Sequence, residues 1–322
     1  MGAKNLTLFS GLLAFVVVAL GAWTRLADAG LGCPDWPGCY GFATIPNSPE
    51  EIDIANARFP STPYEVAKAI PEVVHRYFAA TLGFLILCIF FLINKTRDIS
   101  KSSKNLSTLI VIWVIIQGAF GYLTVSLKLW PQIVTLHLLF GFLTTVYLWI
   151  LYFKLKEEAL PDLKFKTPLG LNKLLSWALV FVLFQIFLGA WTSTNYAAYA
   201  CPDFPLCQGK LLPEIDVQGG FNLFQGIGPN YLGGVMDLES RTAIHFSHRV
   251  GALLLSLYLS GLIYLIYKKG FETEAKILSL FLLLQLSLGV SNVIFSLPLL
   301  VAVGHNIGGL VLLIYISLLR FR

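Results

Sequence analysis

The sequence predicts an all-α integral membrane protein: eight transmembrane helices arranged as two parallel four-helix-bundle repeats, related by a pseudo-two-fold axis along the membrane normal. Three observations carry that expectation. The chain of 322 residues is 56% hydrophobic and 13% charged, with a mean hydropathy of +0.73, which lies outside the range of soluble domains. Eight stretches reach the length of about 20 mostly apolar residues that a bilayer span requires. Finally, the chain repeats itself. Cys33-Pro34-Asp35-Trp36-Pro37-Gly38-Cys39 returns 168 residues later as Cys201-Pro202-Asp203-Phe204-Pro205-Leu206-Cys207. At the same offset Gly21-Ala22-Trp23-Thr24 matches Gly189-Ala190-Trp191-Thr192, Gln117 matches Gln285, Gly121 matches Gly289, and His137 matches His305. His75-Arg76 matches His248-Arg249 at an offset of 173, so the chain reads as a tandem duplication.

The spans are expected at roughly 6–26, 71–93, 107–127 and 133–153 in the first repeat, residues 1–160. Those of the second, residues 161–322, are expected at 173–192, 243–267, 276–296 and 299–319. The first span follows Lys4 and precedes Ala27-Asp28-Ala29, the outline of a secretory signal. Its counterpart lies mid-chain and cannot be one, so the segment is read as a retained helix. No Arg/Ser-rich amphipathic presequence is present, which favours a bacterial inner membrane. Four spans per repeat is an even number, so both repeats enter the membrane from the same side. Lys4, Lys95, Arg97, Lys101, Lys104, Lys154, Lys156, Lys164, Lys166, Lys173, Lys268, Lys269, Lys276, Arg320 and Arg322 then collect on one face. The positive-inside rule makes that face cytoplasmic, together with both termini, and places the long loops 27–70 and 193–240 outside. The net charge of +5 is thus a topology signal and gives no reason to expect nucleic acid.

Four of the five cysteines form two Cys-x5-Cys pairs in the external loops, while Cys88 is alone within a span. Paired loop cysteines facing an oxidising compartment read as the disulfides Cys33/Cys39 and Cys201/Cys207. They serve either as structural clips or as redox-active pairs, since exposed or strained disulfides are the labile ones. Two cysteines per loop leave a tetrahedral zinc site incomplete, and the Cys-x-x-Cys-His signature of covalent heme attachment is absent.

The histidines carry the chemistry. His75, His137, His248 and His305 each stand a turn or two below the outer end of an even-numbered span, at one shared depth reached four times. Ionisable residues inside a membrane are costly, and histidines facing one another across a bundle suit the two axial positions of an iron porphyrin. Gly83, Gly121, Gly141, Gly289, Gly308 and Gly309 would admit a flat macrocycle, and Tyr77, Phe78, Phe140, Phe142 and Phe246 would pack its faces. Arg76 and Arg249, next to two of the histidines, are candidates for binding porphyrin propionates or for anchoring at the interface.

The two repeats also differ. Arg25 is matched by Ser193, and Glu72-x-x-His75 by His245-x-x-His248. A spacing of three puts both residues on one helix face. Glu72 is therefore expected beside His75, one turn nearer the surface, where a carboxylate could accept a proton. Its bland alternative is an acid at a helix start, with Pro71 marking that start.

Together Thr24-Arg25-Leu26, Ala29-Gly30-Leu31, the Cys33–Cys39 and Cys201–Cys207 motifs, Glu72-x-x-His75-Arg76, His248-Arg249 and Gly304-His305 resemble the heme A synthase family. The resemblance covers nearly the whole chain. It implies a membrane oxidoreductase that turns one methyl group of heme O into the formyl group of heme A by successive hydroxylations with water-derived oxygen. It also implies that His248 and His305 ligate a resident heme b iron, while His75 and His137 border the substrate heme, where Arg76 and Arg25 are further candidates. Glu72 becomes the catalytic carboxylate and the Cys33/Cys39 pair lies nearer the substrate, while Arg249 stays the propionate candidate named above. His245 has no ligand role in this transfer. Implied partners are heme O, a heme O synthase, terminal oxidase assembly factors and membrane lipid; homo-oligomer formation is compatible with the sequence. The alternatives are a di-heme cytochrome b that only passes electrons and a heme carrier.

Overall fold

The computed structural model describes residues 2–160 and 170–321. Lys164, Lys166 and Arg322, and the start of the second repeat at 161, lie outside the described residues. Eight long apolar helices dominate: α1 (Ala3–Leu26), α3 (Val66–Lys95), α4 (Lys101–Ser126), α5 (Pro131–Ala159), α6 (Asn172–Thr194), α8 (Leu238–Lys268), α9 (Glu272–Ile294) and α10 (Leu299–Phe321). Short helices α2 (Pro49–Arg58) and α7 (Val217–Gly220) lie in the two long loops. All eight expected spans are present, and only 6% to 39% of each apolar window is buried inside the protein. The remaining helix surface is apolar and needs lipid against it, so this is a multi-pass membrane protein. Helices suit that setting because every backbone polar group is satisfied within the segment.

The helix neighbours are matched between repeats. In the first, α1 packs on α3 and α5, α3 on α4, and α4 on α5. In the second, α6 packs on α8 and α10, α8 on α9, and α9 on α10. Between them α1 meets α10, α5 meets α6, and α5 meets α10. Exchanging each helix for its repeat counterpart maps this whole set onto itself. Lipid tails are as apolar as leucine, so close packing and interhelical hydrogen bonds hold such a bundle together. The largest core accordingly crosses the seam, joining Phe142, Val146 and Ile150 of α5 to Leu175 and Val182 of α6 and Leu310 and Leu313 of α10. Thr135 and Thr194 share a buried hydrogen bond of 3.1 Å between α5 and α6.

Two expectations change. Helix α3 begins at Val66, so Pro71 lies inside it rather than at its start. The proline leaves the Ala67 carbonyl without its helical donor, but Ala67 is exposed and open to water. Ala69 is fully buried against the Cys33–Cys39 loop, which fixes this extra turn. Phe142, proposed to pack a macrocycle, belongs instead to the inter-repeat core, while Tyr77 and Phe78 are exposed.

The longer second loop does not stay over its own repeat. Trp130 Nε1 donates to the Gln225 carbonyl at 3.1 Å and Gln132 Nε2 to the Leu223 carbonyl at 3.0 Å. The Tyr231 N–H reaches the Lys128 carbonyl at 3.1 Å. Residues 223–231 therefore cross to the α4–α5 corner of the first repeat.

Candidate functional site

Each repeat brings its two histidines together, edge to face, from diagonal helices. His75 on α3 and His137 on α5 have ring centroids 6.5 Å apart at an interplanar angle of 84°. His248 on α8 and His305 on α10 repeat this at 6.4 Å and 88°. Two imidazoles bound to opposite sides of one metal, with metal–nitrogen bonds of about 2 Å, have ring centres about 6 Å apart. The observed separations fit that arrangement. Among the described residues no group of three or more His, Cys, Asp or Glu could hold a bare metal ion. The donor set is thus two nitrogens per site, the number a porphyrin iron lacks.

Backbone and amide contacts fix the histidine-bearing turns. Gln117 Nε2 on α4 donates to the His137 carbonyl at 2.9 Å, and Gln285 Nε2 on α9 to the His305 carbonyl at 3.1 Å. His75 Nδ1 lies 3.1 Å from the Val17 carbonyl. A carbonyl only accepts, so Nδ1 carries the proton and Nε2 presents its lone pair. At the position matching Val17 stands Gln185, whose amide nitrogen is 3.0 Å from His248 Nδ1 and 2.9 Å from the His248 carbonyl. The Nδ1 atoms of His137 and His305 are buried without a hydrogen-bond partner.

The repeated loop motifs have a common clamp. Arg76 Nη1 donates to the Asp35 carbonyl at 2.8 Å and the Gly38 carbonyl at 2.5 Å. Arg249 Nη1 reaches the matching carbonyls of Asp203 at 2.8 Å and Leu206 at 2.7 Å, and its Nη2 that of Cys201 at 2.7 Å. Both disulfides, Cys33–Cys39 and Cys201–Cys207, are formed, and Cys88 is free. Each arginine therefore ties a disulfide-closed loop to the helix that carries a histidine one residue away.

Glu72 and His245 occupy matching places beside these arginines and differ in charge. Glu72 is 4% exposed; its Oε2 accepts the Cys33 N–H at 2.9 Å and its Oε1 accepts Arg76 Nη2 at 2.5 Å. His245 Nε2 accepts Arg249 Nε at 3.2 Å. A carboxylate thus stands one helical turn from His75, and no acid stands in the corresponding place near His248. Arg25 lies at the seam between repeats. It donates to the Ser193 carbonyl, its own repeat counterpart, sits 3.6 Å from Asp28, and stacks 4.0 Å over the Tyr196 ring.

Sequence reasoning placed the four histidines but missed the role of Gln117, Gln285 and Gln185. The first two were visible as a matched pair at the repeat offset; Gln185 had no such signal, because its counterpart Val17 works through a backbone carbonyl. Of the glycines expected to admit a macrocycle, Gly121 and Gly289 abut histidine rings, and Gly141 and Gly308 lie against the Gln117 and Gln285 side chains.

These features define a class: a polytopic membrane protein whose repeats each bring one pair of histidine rings to within 6.4–6.5 Å inside the helix bundle. Residues 4–317 match the COX15-CtaA family, described as cytochrome oxidase assembly protein, and the chain belongs to that family. It is 42% identical to a Shewanella oneidensis protein named heme A synthase, over 95% of this chain and 92% of the relative. Heme A synthases of Rickettsia bellii (28% identity, 96% of each chain) and Halalkalibacterium halodurans (27%, 94% of this chain and 91% of the relative) are also similar.

Proposed function

We propose that this protein is a heme A synthase, with the first repeat, 1–160, holding the substrate heme O and the second, 161–322, holding a heme b. The observation that carries this reading is the coexistence of two equivalent histidine pairs with the one buried carboxylate among the described residues, Glu72, beside only the first of them. A pure electron carrier gains nothing from that difference, whereas a reaction centre paired with a redox centre requires one. The family membership and the names of the relatives support the same reading.

His248 and His305 would hold heme b through their ring nitrogens, and the bound group would supply a one-electron acceptor next to the substrate repeat. His75 and His137 would orient heme O. Each hydroxylation at the methyl carbon adds one water oxygen and releases two electrons and two protons. The second yields a geminal diol, which loses water to give the aldehyde, so four protons leave in all, with four electrons that would pass one at a time through the heme b to a further electron acceptor outside this chain. Glu72 would take up protons as water attacks; the hydrogen bond from Arg76 to its carboxylate supports that role by holding it in position. The long loops and both sites would face outward, with the termini cytoplasmic, as the basic residues at the opposite helix ends require. Heme O implies a heme O synthase as supplier, and the family description implies an oxidase assembly pathway as consumer.

The test is chromatography of hemes extracted from purified protein co-expressed with a source of heme O. Heme b together with heme A or a hydroxylated heme O is expected. Two heme b per chain, with no altered porphyrin, would show a di-heme electron carrier instead.

A further inference from the structure

Each of the four histidine rings rests on a glycine of a neighbouring helix. A Cβ built on Gly21 of α1 would stand 3.0 Å from His75 Cε1, and one on Gly121 of α4 3.4 Å from His137 Cε1. One on Gly189 of α6 would stand 3.1 Å from His248 Cε1, and one on Gly289 of α9 3.0 Å from His305 Cε1. The four glycines lie on four different helices, and every histidine pair has one on each flank. The same atom, Cε1, is approached every time. Cε1 adjoins both ring nitrogens and lies off the Cβ–Cγ axis, so pressure there swings the ring about that bond. His137 and His305 make no hydrogen bond of ordinary geometry at Nδ1, so packing contributes to setting their orientation.

We infer that Gly21, Gly121, Gly189 and Gly289 are positioning residues: their bare Cα atoms are seats that set the direction in which each imidazole presents its nitrogen to the porphyrin. This rests on the histidine-ligand reading above. A methyl group at 3.0–3.1 Å is closer than ordinary van der Waals contact and displaces the ring by a few tenths of an ångström; at Gly121 the contact is already ordinary. The effects should therefore be graded. Gly118 of α4 and Gly261 of α8 have nothing within 4 Å of a built Cβ, which makes their alanine variants matched controls. Alanine also favours a helix over glycine by about 1 kcal/mol, so loss of helix stability cannot mimic the predicted outcome.

The experiment compares alanine variants of the full-length protein, purified with hemes acquired during expression, by heme content and by the low-spin electron paramagnetic resonance signal of heme b. Gly189→Ala and Gly289→Ala should shift that signal or convert part of it to high spin, with loss of heme b. Gly21→Ala should leave the heme b signal at its parental position while retained heme O and heme A yield fall about tenfold, a smaller loss than the roughly hundredfold cost of a 1 Å misplacement. Gly121→Ala should lose less than Gly21→Ala, and Gly118→Ala and Gly261→Ala should match the parent. Parental signals in both Gly189→Ala and Gly289→Ala would overturn the seats, as would equal losses in the controls. His248→Ala separates the two readings: if it strips heme b while the glycine variants do not, the ligands stand and the seats fall. Full heme b in His248→Ala overturns the ligand reading itself.

Discussion

Replacing Glu72 separates a structural acid from a catalytic one. Its carboxylate joins the Cys33 N–H, at 2.9 Å, to the Arg76 guanidinium, at 2.5 Å, with side-chain exposures of only 6% for Glu72 and 14% for Arg76. Removing one partner of such a buried pair costs about 3–5 kcal/mol. Glu72→Ala should fall at the low end, about 3 kcal/mol, because Arg76 keeps its carbonyl acceptors on Asp35 and Gly38. Glu72→Gln retains the volume and one acceptor oxygen, so the loss of charge assistance should cost only about 1–2 kcal/mol. Loop opening can be followed by proteolysis of the 33–65 segment, and turnover by the heme A to heme O ratio of co-expressed protein. If Glu72 accepts protons, both variants should lose roughly 10²–10⁴ of heme A yield, although only Glu72→Ala opens the loop markedly. Heme b in the second repeat should be retained in both. A Glu72→Gln protein making heme A at the parental rate would remove the catalytic role and leave the acid as a loop fastener.

The two loop clamps should respond separately. Arg249→Leu strands the carbonyls of Cys201, Asp203 and Leu206 and should release the 201–207 loop at a cost of about 2–4 kcal/mol, measured as faster proteolysis there while the 33–39 loop stays protected. Asp203 gives a pH dependence. The Gly209 N–H, followed by that of Gln208, holds its carboxyl below the ordinary value of 3.8. Its contribution to the loop is thus complete above that ordinary value and is lost as pH falls through the lower folded value. Acid below that window should loosen the 201–207 loop, and Asp203→Asn should remove the dependence; an unchanged acid profile would refute it.

How much could be read from the chain follows from the scale of each effect. The span count was legible because a bilayer needs a long apolar run and permits few charges, and both are one-dimensional properties. The duplication exposed itself through the Cys-Pro-Asp motif and matched histidines, and with it the pairing of His75 with His137 and of His248 with His305. The start of α3 was misread because Pro71 is a strong local signal, overridden by burial of Ala69 under a loop distant in sequence. Arg76 and Arg249 read as propionate partners or interface anchors; the fold adds that Nη1 of each meets loop carbonyls some 40 residues away, contacts for which no spacing rule exists.

What the sequence by itself determined is therefore the membrane class, the repeat, the four histidines and the acid Glu72 standing where the second repeat has His245, because hydropathy, periodicity and residue type are carried by the chain alone. The tertiary structure decided the rest: a 6.4–6.5 Å gap between paired rings, glycine seats contributed by neighbouring helices, arginine clamps on the loops, and a second loop reaching across to the first repeat. These are distances between atoms far apart in sequence. Only the packing of helices against one another sets them.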